Sequence, residues 1–243
     1  MKRLQFLAIA IGLLVTSVAH SQRPLSQATG RRGMVVSVSP PATRAGLEIL
    51  KAGGNAVDAA VAVEFALAVT WPAAGNIGGG GFMMVHPAGG GDVVCIDYRE
   101  TAPGAATETM FTRNDGRYSH KIVGVPGTVH GMVTAHKKFG KLPWKQLLQP
   151  AIILARDGFP IDRSLASSIN SVLRSRSTRS AKRHQELIRV YGPSEGRSWT
   201  TGQKLVLPDL AATLERIANQ GADGFYKGKT ARLLAVEMAS GDG

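Results

Sequence analysis

Four consecutive glycines, Gly78–Gly81, run straight into an apolar segment, Phe82–Val85, and a second apolar segment, Val93–Tyr98, ends on Arg99. A glycine run costs conformational entropy on folding, so it marks a place where backbone must come very close to something. The linker between the two segments, His86 to Asp92, contains Gly89–Gly91, and the simplest fold for this pattern is a β-hairpin. Arg99 then stands at a strand end and has the look of a buried residue. A guanidinium fork there can hold a carboxylate through two parallel hydrogen bonds.

Two familiar glycine motifs do not fit. The dinucleotide fingerprint requires the glycines to open a helix, whereas Gly78–Gly81 feed a strand. Gly224-Phe-Tyr-Lys-Gly228-Lys229-Thr230 resembles a phosphate loop, but it has three residues between its glycines where that motif needs four, and no apolar strand precedes it. His130 and His136 are spaced too far apart to share a helix face, and no HExxH occurs, so neither a metal site nor a cofactor is expected. Neither a Gly-x-Ser-x-Gly elbow nor a Cys-His pair is present.

The chain opens with a basic start, an apolar run from Leu4 to Val15, and small residues at Ala19 and Ser21. This is the pattern of a cleaved signal peptide over residues 1–21, and the run is too short for a stable membrane span. Periplasmic or secreted localisation follows. Residues 22–32 read as a flexible arm and 33–243 as the folded part. The 44% hydrophobic and 19% charged content of the whole 243-residue chain is that of a globular protein. Loss of Lys2 and Arg3 lowers the formal charge from +12 to +10. The basic residues between Arg174 and Arg189 lack interleaved aromatics, so they are expected to form a solvated helix face and not a nucleic-acid site.

Met34–Ser39 reads as the first strand. Helices are expected over 42–52 and 56–69, the second capped by Asn55 with Asp58 in its first turn and ended by Pro72. Residues 56–69 are apolar on every side apart from Asp58 and Glu64, which requires burial all round, and their small side chains suit close packing on a sheet. Asn114-Asp115-Gly116 reads as a turn. Further helices are expected over 128–139, from Trp144 with Pro150 dividing or kinking it, within 162–191, over 208–219 and over 229–239. Cys95, alone and in an apolar strand, reads as a small core residue.

Several segments together resemble the large-subunit start of the γ-glutamyltransferases, or glutathione hydrolases: Pro41–Ala60, Gly78–Phe82, Asp97–Pro103, Gly124–Gly127, Phe139–Trp144 and Ala155–Pro160. The resemblance covers nearly all of residues 33–243 in the same order. It implies an α+β fold, the αββα sandwich of the N-terminal-nucleophile hydrolases, incomplete over these residues. It further implies a precursor that cuts itself into two subunits and a threonine acyl-enzyme that passes a γ-glutamyl group to water or to an amino-acid or peptide acceptor. Arg99 matches the arginine that binds the substrate's α-carboxylate, though pairing with Asp97 or Glu100 is the alternative use for it. The nucleophile and the partner small subunit are not matched within these residues, since Thr200-Thr201 is followed by Gly202 and not histidine. The 243 residues are therefore expected to be inactive alone. A non-catalytic periplasmic γ-glutamyl-binding module and a β-lactam acylase-like relative are the alternatives.

Overall fold

The computed structural model describes residues 28–113, 115, 119–175 and 184–241. The proposed signal segment, most of the Asn114–Gly116 turn and the central part of the basic run lie outside them. The chain divides into residues 1–34 and a compact unit over residues 35–243, and the elements below all belong to the second.

Its first two helices are α1 (Pro40–Lys51) and α2 (Ala56–Thr70). Asn55 and Asp58 form a capping box, each side chain bonding the other's backbone N–H. Asp58 is fully buried, and its carboxylate also accepts from Lys141 N (3.0 Å) and Leu142 N (3.2 Å), while Asn55 Nδ2 donates to Phe139 O. One capping pair thus ties the start of α2 to a loop more than eighty residues away.

The hairpin is β1 (Phe82–Val85) and β2 (Val94–Asp97), antiparallel with Met84 opposite Cys95 and Met83 opposite Ile96. Its loop turns through Gly90 and Gly91, whose φ values of 81° and 107° favour glycine. Then follow α3 (Thr128–Phe139), α4 (Trp144–Asp157), β3 (Phe159–Pro160), α5 (Arg163–Arg174), α6 (Gln185–Tyr191), β4 (Lys204–Leu205), α7 (Pro208–Gln220), α8 (Asp223–Tyr226) and α9 (Gly228–Ser240). The short β3–β4 ladder and α8 carry no recognisable sequence pattern.

The core is a stack of helices. α2 lies between α1 and α4, and α4 packs in turn on α7. Phe65 meets Trp144 edge to face at 5.7 Å, and Trp144 Nε1 donates to the Ile217 carbonyl at 3.0 Å. No residue of α2 after Ala56 is fully exposed, so its all-apolar pattern does signify burial. Its main neighbours are helices α1, α3 and α4. Helix grooves accept Ala and Val as readily as a sheet surface does.

Three expectations are corrected. Met34–Ser39 forms no strand: Val36 and Val38 are exposed, and Ser37 Oγ takes up the Ser39 backbone on both sides, a local alternative to a ladder. Pro150 does not divide α4, because the side chains around it, Leu147, Leu148, Ala151 and Ile152, are all buried and hold the helix through the missing bond. Cys95 is exposed, not core. Strand alternation puts Ile96 and Val85 inward, which turns Phe82, Met84, Cys95 and Asp97 to the open face.

Candidate active site

The glycine run crosses the end of β2. Tyr98 N donates to Gly81 O at 2.9 Å, extending the hairpin by one pair. A Cβ at Gly80 would lie 2.7 Å from Glu100 N and 2.8 Å from Arg99 Cα. None of Gly78–Gly81 has a positive φ, so the run serves close approach and not an unusual backbone conformation. Gly79 O accepts from Gly127 N (2.8 Å) and Thr128 N (3.0 Å), and so caps the first turn of α3.

On the other side of Arg99 lies the Gly124–Gly127 loop. Val125 and Thr101 exchange both backbone hydrogen bonds, with Val125 N to Thr101 O at 2.8 Å and Thr101 N to Val125 O at 3.3 Å. Gly127 and Gly131 leave no room for a side chain against Tyr98. The Tyr98 ring fills that space, and burial together with the nearby Glu64 carboxylate pushes its phenol up to about 12. Glu64 is itself raised by burial.

Arg99 is therefore fixed in its backbone and accessible at its head. Its N–H donates to Asp97 Oδ1 at 2.9 Å, and its guanidinium Nε stands 3.3 Å from Glu100 Oε2. The side chain is 63% exposed, so the buried position suggested by the sequence is not observed. An exposed ion pair of this kind holds its partners weakly and yields readily to a competing carboxylate. Asp97, Arg99, Thr101, Pro126, His130 and Tyr226 line an open cavity of about 450 Å3. His130 is weighed in the sequence only as a metal ligand, and the only sign of Tyr226 there is the Phe-Tyr pair inside the rejected Gly224–Gly228 loop. Thr200 and Thr201 do not line this cavity; they occupy the turn before β4, where Thr200 N donates to Gln203 Oε1. Among the described residues no cluster of His, Cys, Asp or Glu is placed to hold a metal, and no helix is long and apolar enough to cross a membrane.

The gamma-glutamyltranspeptidase family model matches residues 42–243. This chain belongs to that family. It is 41% identical over 245 residues to a glutathione hydrolase proenzyme of Pseudomonas sp. (strain A14), an alignment taking in 98% of this chain and 41% of that protein. The chain thus spans about two fifths of that relative's length. Among solved structures, Helicobacter pylori gamma-glutamyltranspeptidase superposes with a TM-score of 0.81 at 37% identity, over 89% of this chain and 62% of that one. A cephalosporin acylase from Bacillus halodurans superposes with a TM-score of 0.76 at 29% identity, over 90% and 43% of the two chains. The fold class is accordingly α+β, of the N-terminal-nucleophile hydrolase type. The described strands form two two-stranded ladders, only part of that architecture's sheets.

Proposed function

We propose that this chain provides the substrate-anchoring part of a γ-glutamyltransferase or glutathione hydrolase, and that Arg99 grips the α-carboxylate of the γ-glutamyl group. The observation that carries the reading is the placement of Arg99: a rigid backbone between two glycine-lined crossings, and an accessible guanidinium on a cavity wall. Fixing both carboxylate oxygens fixes the direction of the γ-carbonyl, and that orientation is what acyl transfer needs. In this reading a threonine in the part of the relatives that this chain does not span attacks the carbonyl. The amide nitrogen leaves with a proton as the free amine, and water or an acceptor amine then takes the glutamyl group from the threonine ester. The small subunit formed by self-cleavage completes the site, residues 1–21 are removed on export, and the 243 residues alone do not turn over substrate.

The test uses the intact protein. Arg99→Ala is expected to raise KM for a γ-glutamyl anilide at least about tenfold, since hydrogen bonds to a charged group contribute roughly 1.5–3 kcal/mol each. Replacing the substrate's α-carboxylate by a carboxamide should produce a similar loss in the wild type and little further loss in the variant. Unchanged KM and kcat in Arg99→Ala would remove the assigned role. The similarity to a cephalosporin acylase supports a second reading, in which Arg99 meets the carboxylate of a β-lactam side chain; turnover of a glutaryl cephalosporin in preference to the anilide would favour it.

A further inference from the structure

We propose that Tyr226 is a positioning residue for the Arg99 anchor, acting through the loop that backs it. This inference rests on the reading of Arg99 given above. Tyr226 lies 100 residues from the carbonyl it binds: its phenol donates to Pro126 O at 2.8 Å and accepts from His130 N at 3.2 Å. One hydroxyl thereby holds both the last loop residues before α3 and the first turn of that helix.

What it holds is the wall behind Arg99. Val125 is paired to Thr101, and Gly127 lies so close to the Tyr98 and Arg99 carbonyls that a Cβ would be 3.0 Å from the Arg99 oxygen. The Arg99 backbone sits between this wall and the glycine run. Sliding of residues 125–127 along the Tyr226 contact would carry Thr101 with it and turn the guanidinium away from the cavity.

Tyr226 is itself held rigidly. Its neighbour Phe225 is buried and meets the Tyr226 ring edge to face at 5.0 Å. The Gly224 carbonyl accepts from Thr230 Oγ1 at 2.8 Å, and Thr230 Oγ1 in turn accepts from Arg216 Nε at 2.8 Å, so α7 and α9 both brace the turn. The Gly224–Gly228 loop that imitates a phosphate site in sequence thus has a different use: it presents one phenol to the active-site loop.

The test is Tyr226→Phe in the intact protein, which keeps the ring and removes only the hydroxyl. KM is measured for a γ-glutamyl anilide and for its α-carboxamide analogue, in wild type, Tyr226→Phe, Arg99→Ala and the double variant. Tyr226→Phe is expected to raise KM for the carboxylate substrate roughly three- to tenfold, the effect of one net hydrogen bond, and to leave the carboxamide KM unmoved. It should add nothing to Arg99→Ala. Both readouts are ratios within one preparation, so a lower yield of folded enzyme cannot imitate them. Equal KM increases for both substrates, or full additivity with Arg99→Ala, would reduce Tyr226 to a structural brace and overturn the proposal. An Arg99→Ala variant with wild-type KM would instead overturn the anchor reading itself, and the positioning role with it.

Discussion

Replacing Gly80 by alanine separates a glycine needed for close approach from one that merely occupies a loop. The added Cβ would stand 2.7 Å from Glu100 N and 2.8 Å from Arg99 Cα, and closer still to the Tyr98 carbonyl. All three are backbone atoms, so no flexible side chain can swing aside, and the crossing must open by about 1 Å to bring the nearest of them to ordinary contact. The hydrogen bonds of Gly81 with Tyr98 resist that opening on one side and the Thr101–Val125 pair on the other. Overpacking of this kind costs about 1–3 kcal/mol. A displacement of the anchor approaching 1 Å costs up to about a hundredfold in rate, which places the expected fall in kcat/KM between roughly ten- and a hundredfold. The assay is release of the anilide chromophore by the intact protein, alongside a thermal melt. Gly78→Ala is the control, since its nearest neighbour would be Asn76 Oδ1 at 3.9 Å and neither glycine has a positive φ. If Gly80→Ala matches Gly78→Ala in both activity and melting temperature, the close-crossing explanation of the glycine run is wrong.

Two more substitutions probe the scaffold. Asp58→Asn keeps the shape but turns an amide N–H2 toward the backbone donors of Asn55, Lys141 and Leu142, and should destabilise by about 2–4 kcal/mol in denaturant titration; a loss below about 0.5 kcal/mol would show that the clasp is dispensable. Glu64→Gln bears on pH dependence. Because burial raises the folded-state pKa of Glu64 above the ordinary 4.5, its ionisation opposes folding: the wild type is not penalised below that value and loses stability as pH rises through the raised one. The variant should therefore gain in melting temperature relative to wild type at pH 7 and show no such gain near pH 4. The same difference at both pH values would mean that the charge of Glu64 is not what matters.

Local signals were sufficient wherever the deciding interactions are close in sequence. The Asn55–Asp58 box, the Gly90–Gly91 turn and the end of α3 before Gly140 are each settled within a few residues, and each lies where the residue pattern puts it. Met34–Ser39 failed because β-branched composition makes a strand only when a partner strand offers hydrogen bonds, and the Ser37 hydroxyl offered closer ones to Ser39. Cys95 failed because an apolar strand does not reveal which of its two faces is inward; the packing of α3 on β2 decides that. Pro150 does not divide its helix, because intrinsic helix breaking is weaker than the burial of four flanking side chains.

For the site, the sequence by itself determined the hairpin, the glycine crossing and an arginine at the strand end, together with the family to which those residues belong. It could not say what the crossing touches. Tertiary structure decided that the glycines abut the Tyr98–Glu100 backbone, that Arg99 is exposed and leans on Glu100, and that Tyr226 reaches back 100 residues to the loop behind it. The reason is physical: a glycine run declares in sequence that a side chain is excluded, but the atoms that exclude it belong to segments brought there only when the helices pack.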